Sequence, residues 1–211
     1  MAVRGRPRGF DRDAALARAM QLFWAKGYEG VQLAELTAAM GINPPSFYAA
    51  FQSKEAIYRE ALDLYLATAG EGSMAALRDT PGTTKEAIHA MLLASVEVAL
   101  ASPSAGGCMI SLGLVNAQDQ NAPLRNHLRA LRRTTAMLIL DRLELGIREA
   151  DLPAGVDPER LATFYATVMQ GLSLQAQDGA SRDALIGVVE TAITALDVEV
   201  IMPIAARDDM R

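Results

Sequence analysis

Cysteine and histidine are nearly absent from this 211-residue chain, which has one cysteine, Cys108, and two histidines, His89 and His127. A lone thiol closes no internal disulfide, and two histidines far apart in sequence lack the spacing of a metal-ligand set. No metal and no cofactor are expected. An enzyme would need a nucleophile with its base, a carboxylate pair in a cleft or a cofactor loop; no such motif is recognisable, so the chain reads as a non-enzyme. Long apolar runs are missing too. The longest uncharged stretch, Val98 to Gln118, is interrupted by Pro103, Gly106, Gly107 and Asn116, which does not fit a membrane span. The N-terminus is basic but lacks the apolar run of a secretion signal. The expectation is a soluble protein of the reducing cytoplasm with no membrane partner. Runs of β-branched and aromatic residues bounded by turns, the mark of strands, are also lacking.

What is present is helical periodicity and an uneven charge. Hydrophobic residues make up 51% of the chain, ample for a packed core, and the net charge of −5 argues against a protein that coats nucleic acid over its whole surface. Residues 1–60 hold 8 Lys and Arg against 6 Asp and Glu, while residues 61–211 hold 12 against 19, so the basic part is the amino end. The apolar spacing predicts an all-α fold of about nine helices. Asp11 caps a first helix over about residues 12–26, with Leu16, Ala19, Met20, Phe23 and Trp24 on one face and Gly27 at its end. A short helix from about Leu33 to Met40, the turn Gly41-Ile42-Asn43 and a second short helix with Pro44 in its first position form a helix-turn-helix. Ser53 caps a fourth helix from Lys54 that ends before Pro81, with weak points at Gly70 and Gly72. Thr83 and Glu86 have capping-box spacing and open a helix that fades at Ser102-Pro103. A short apolar helix to about Gln118 follows, then a long one from about Pro123 to Glu149. Two regular amphipathic helices close the chain, over about 158–178 and 182–200.

Residues 10–66 resemble the DNA-binding domain of the tetracycline-repressor (TetR/AcrR) family. The likeness lies in Gly27-Tyr28-Glu29-Gly30, in Leu33-Ala34-Glu35-Leu36, and in the run from Gly41-Ile42-Asn43-Pro44-Pro45-Ser46-Phe47-Tyr48 through Phe51-Gln52-Ser53-Lys54-Glu55. The resemblance implies a flexible basic arm over residues 1–9, a helix-turn-helix DNA-binding domain over 10–66 with its motif at about 32–51, a ligand-binding and dimerisation domain over 67–203, and a tail over 204–211. It also implies a homodimer, paired through the last two helices, that binds a palindromic duplex operator and is released by a small molecule. Phe47 and Phe51, one turn apart, should face the core and leave Ser46 and Tyr48 outward. The resemblance assigns Tyr48 and Lys54 to phosphates. A helix N-terminus offers free amides to phosphate, and Asn43 can reach backbone or a base edge from there. Arg4 and Arg6 belong to an arm suited to a minor groove.

Three departures from the family pattern shrink the recognition surface. Gln32 stands where Ser or Thr usually caps, Pro44-Pro45 replace a frequent Lys-Gly pair, and Ala49-Ala50 replace polar residues. Base readout then rests on Asn43, Pro45, Ser46 and Gln32. For an apolar effector, the candidate lining residues are Met91, Ser95, Met109, Leu112, Asn116, Phe164, Met169 and Gln170, each of which also suits plain core. Cys108 after a glycine pair is either a redox-sensitive thiol or a small buried hydrophobe. A helical small-molecule-binding protein with little DNA binding, and a transcriptional activator on the same fold, remain open alternatives.

Overall fold

The computed structural model describes residues 10–101, 107–115, 118–153 and 155–197. Arg4, Arg6 and the rest of the basic arm, together with Asn116 and residues 198–211, lie outside them. Nine α-helices occur among the described residues: α1 (Arg12–Gly30), α2 (Leu33–Met40), α3 (Pro44–Phe51), α4 (Lys54–Ala67), α5 (Glu71–Asp79), α6 (Thr84–Leu100), α7 (Ala122–Arg148), α8 (Pro158–Gln177) and α9 (Arg182–Ile193).

Local chemistry sets most of these boundaries. Asp11, Asn43, Ser53, Asp157 and Ser181 each accept a backbone amide from the first turn that they cap, and Thr83 with Glu86 closes a full capping box. Gly27, at φ 68° and ψ 169°, breaks α1 where the sequence places its end, although a last turn resumes as far as Gly30. Gly41 is left-handed (φ 70°, ψ 32°) and returns its amide to the carbonyls of Thr37 and Ala38, the stop that a helix-turn-helix needs.

Three expectations are corrected. The single helix drawn from Lys54 towards Pro81 is two, because the Gly70 amide turns back 2.7 Å to the Tyr65 carbonyl and a Cβ at residue 70 would lie 2.7 Å from the Tyr65 ring. No helix forms over 108–115. Met109, Ile110 and Leu114 are drawn instead into the core beneath α1 and α4, and the Ile110 and Gly113 carbonyls accept from the Arg132 guanidinium at 2.8 and 3.1 Å. Finally, α9 ends at Ile193 and continues as one 3-10 turn, Thr194–Leu196, short of the expected 200.

Two apolar cores hold the molecule. The first joins Phe23, Leu36, Phe47, Phe51, Tyr58 and Tyr65 of α1–α4, with Phe23 edge-on to Tyr58 and Trp24 edge-on to Tyr65, both at 5.0 Å between centroids. Leu124 and Leu128 from the start of α7 enter this same core. The second is built around α6, whose Ile88, Met91, Leu92 and Val96 are fully buried against Ile139 and Leu143 of α7, Leu161 and Tyr165 of α8, and Leu185 and Val189 of α9. The N-terminal head therefore shares its core with the segment that leads into the C-terminal bundle.

Candidate nucleic-acid interface and effector cavity

The geometry of α3 follows from its alternation of burial. Phe47 and Phe51 are sealed from solvent, while Asn43, Pro44, Pro45 and Ala49 are exposed, Ser46 is half-exposed, and the Tyr48 ring is 52% exposed. Burying the two phenylalanines costs Tyr48 its place in the core and turns its hydroxyl outward. The helix is braced from behind: Arg12 pairs with Glu60 at 2.7 Å and lies 4.4 Å over the Phe51 ring, and Arg18 donates to the Met40 carbonyl at the end of α2. A shallow groove runs beside the exposed face between Phe10, Ile42, Asn43, Ser46 and Ala49. Gln32 is exposed and makes no side-chain cap to α2.

The expected phosphate site at the start of α3 needs a correction. Pro44 and Pro45 carry no N–H, the Ser46 amide is taken by Asn43 Oδ1 at 2.9 Å, and the Phe47 amide by the Asn43 carbonyl at 3.0 Å. No backbone donor of that first turn is left for a phosphate, and the prolines in the sequence already carried this signal. Asn43, with its oxygen committed to the cap, presents only its amide NH2 outward. The free donors lie one helix later. Ser53 Oγ takes the Ala56 amide, so those of Lys54 and Glu55 are the unsatisfied N–H groups of α4.

Lys54 is partly shielded. Its Nζ sits 4.4 Å from the centre of the Tyr28 ring, and burial holds its proton affinity below the ordinary lysine value against the opposing charge of Glu29. Burial, then the charges of Glu55 and Glu29, raises the Tyr28 phenol. Glu29 in turn accepts from the Gln118 amide at 3.0 Å and from Asn121 Nδ2 at 2.6 Å, which draws its carboxyl below the usual carboxylate range. The last turn of α1, beside Lys54, is thus tied to the start of α7.

A cavity of about 170 Å³ lies between α4, α5, α6, α7, α8 and the 108–111 segment. Of the residues proposed from sequence, Ser95, Met169 and Gln170 line it. Met91 is buried in the second core, one turn away from the cavity wall, and Met109 and Leu112 line a different crevice under α1 beside Trp24. Asn116 is outside the described residues. Phe164 points away: it is 39% exposed on the outer face of α8, because Tyr165 beside it takes the inward position. Sequence reasoning missed Tyr65, Ser73, Leu131, Arg132 and Leu138, which meet only when α4, α5 and α7 converge. Cys108 is half-buried at the same wall and accepts the Tyr65 hydroxyl at 3.2 Å, so it is neither plain core nor freely exposed.

The sequence profile of the bacterial regulatory proteins, tetR family, matches residues 15–61, and that of the tetracyclin repressor-like C-terminal domain matches residues 82–192, more than half the chain. This chain belongs to the TetR family. It is 31% identical over 194 residues to the HTH-type transcriptional repressor ComR of Escherichia coli, covering 90% of each chain. The HTH-type transcriptional repressor BdcR, also of Escherichia coli, is 33% identical over 186 residues, with 87% of each chain covered. Among solved structures, a cysteine mutant of the TetR family transcriptional regulator CifR, complexed with 26-bp double-strand operator DNA, superposes with a TM-score of 0.86 at 44% identity over 91% of this chain and all of that one. In this TetR-family chain α2 and α3 form the helix-turn-helix, and no helix of the described residues is long and apolar enough to cross a membrane.

Proposed function

We propose that the chain is a sequence-specific transcriptional repressor that binds a palindromic operator as a homodimer and is released by a small molecule. The observation that carries this reading is the outward face of α3, where Tyr48, Asn43, Pro45 and Ser46 stand exposed over a sealed Phe47-Phe51 base. Tyr48 and Lys54 act on phosphates, and the Lys54 and Glu55 amides extend that anchor. Asn43, Ser46 and Gln32 face base edges, with Pro45 against a thymine methyl. The CifR complex with operator DNA, at 44% identity, supports the same docking here.

Pairing through α8 and α9 is supported by an outer face on which Phe164, Leu174 and Val188 are exposed and a Cβ at Gly171 or Gly187 would meet nothing within 4 Å. Two heads then present their α3 helices to successive major grooves about 34–36 Å apart, a spacing that tolerates little change. The 107–115 segment links cavity to head. Cys108, Ile110 and Ser111 line the cavity, Met109, Ile110 and Leu114 enter the head core, and Trp24 Nε1 donates 2.8 Å to the Gly107 carbonyl. A ligand that prefers a displaced 107–115 segment lowers operator affinity by its difference in affinity between the two states.

The test is enrichment of duplexes from a random-sequence pool by the full chain. A palindromic consensus bound in a salt-dependent manner, and lost with Tyr48→Ala, is the expected result; no enriched sequence at low salt would refute the repressor reading.

A further inference from the structure

We infer that the cavity between α4 and α8 is a site for a small apolar carboxylate, with Arg132 as the cation that receives it. The inference deepens the effector reading above and rests on it for its regulatory consequence only. Among the described residues Arg132 is the one formally charged residue at the wall, and no Asp or Glu lines the cavity. Its side chain is half-buried, and Nη1 alone is engaged, on the Ile110 and Gly113 carbonyls. Nε and Nη2 donate to no described residue.

Other arginines of the chain show the contrast. Arg12, Arg59, Arg78 and Arg182 each meet a carboxylate within 2.8 Å, whereas Arg132, like Arg18, Arg129, Arg133, Arg142 and Arg160, is in none of the ion pairs among the described residues; of these Arg132 alone lines the cavity. Burial, then the like charge of Arg129, works against its charged form, with Tyr58 and Cys108 opposing them. A guanidinium partly withdrawn from water without a counter-ion costs free energy, part of which an incoming anion recovers.

Three hydroxyls of the wall are already committed, whereas the Ser111 hydroxyl and the Gln170 amide donate to no described residue. Ser95 donates to the Met91 carbonyl at 2.8 Å, Thr135 to Leu131 at 3.3 Å and Ser173 to Met169 at 3.2 Å. Among the spare donors of the wall only those of Arg132 carry a charge, and its planar fork matches a carboxylate in two-point fashion. Leu131, Leu138, Met169 and Val98 supply the apolar remainder. A cavity of about 150 Å³ accommodates benzene, so the roughly 170 Å³ here takes one ring or a short acyl chain beside the carboxylate. Because the same guanidinium clamps the Ile110 and Gly113 carbonyls, a carboxylate that recruits it bears directly on the segment leading to the head.

Titration of the full-length protein with benzoate, benzamide and benzylamine tests this, read by calorimetry and by the emission of its single tryptophan, Trp24. Benzoate should bind about tenfold or more tightly than its neutral isostere benzamide, and benzylamine more weakly still. Arg132→Gln should erase the preference for benzoate while leaving benzamide affinity in place, and Arg132→Lys should keep part of the preference. Met169→Trp fills the cavity without touching the clamp and should abolish binding of both ring ligands, so the inference stays testable if the Gln variant fails to fold. Equal affinity for benzoate and benzamide, a preference for benzylamine, no binding of any of the three, or an undiminished preference in Arg132→Gln each overturns it. Bound benzoate that leaves operator affinity unchanged would refute ligand release and leave the carboxylate site standing.

Discussion

Removing one oxygen atom from Tyr48 isolates the proposed phosphate contact from everything else that α3 does. The ring is 52% exposed and its hydroxyl has no partner among the described residues, so Tyr48→Phe leaves the core of Phe47 and Phe51 intact and thermal stability unchanged. A hydrogen bond to a charged acceptor contributes about 1.5–3 kcal/mol, which is about tenfold or more in affinity for each half-site. A dimer uses two, so operator affinity should fall by about a hundredfold or more. Because the phenol is neutral, it displaces no counter-ion, and the slope of log affinity against log salt should stay as in the wild type. Lys54→Ala provides the comparison: each lysine withdrawn from a phosphate lowers the slope by about 1, hence about 2 for the dimer, and it also removes the Nζ–Tyr28 contact at 4.4 Å. Fluorescence anisotropy on the enriched palindrome over a range of salt concentrations, with thermal unfolding alongside, measures both quantities. Unchanged affinity in Tyr48→Phe, or a changed slope with it, would refute the phosphate role.

Asn43→Asp keeps a side-chain oxygen for the Ser46 amide and places a negative charge at a helix start, so the unfolding midpoint should hold while operator binding collapses by repulsion from DNA; intact binding would remove Asn43 from the interface. Phe47→Ala empties a fully buried site and should cost about 3–5 kcal/mol by denaturant unfolding, and a loss under about 1 kcal/mol would contradict its place in the head core. Glu29 has a carboxyl drawn below its ordinary range, first by the Gln118 amide and then by Asn121, so its contribution to stability is fully present above the ordinary carboxylate pKa and is lost as pH falls through that value to the lower folded one. Midpoints of the wild type and Glu29→Gln should therefore differ at neutral pH and converge in acid; a constant difference would deny the link between the last turn of α1 and α7. Val188→Glu puts a charge at a residue 44% exposed on the outer face of α9 and should yield a monomer by sedimentation equilibrium with operator affinity lost, whereas a persistent dimer would place the pairing surface elsewhere.

The helix-turn-helix was legible because its determinants are local. Asn43, Ser53 and Gly41 act within four residues of their own position, and the spacing of Phe47 and Phe51 is a property of one helix. The absence of amide donors at the start of α3 was legible in the same way, since proline has no N–H wherever it folds. The 107–115 segment was not. Its apolar residues read as a helix, but the head core and Arg132 compete for the side chains and carbonyls that such a helix would use. Nor was the break at Gly70, which is decided by the Tyr65 ring and carbonyl.

Periodicity, capping residues and the run from Gly41 to Glu55 by themselves determined the helical class, the head and the face that it presents, because each is a relation between residues close in sequence. The cavity, the placing of Arg132 at its wall, the outward turn of Phe164 and the tie between Glu29 and α7 were decided only by tertiary structure. Each depends on groups far apart in the chain whose meeting is set by how the two cores pack, and no spacing along the sequence encodes that distance.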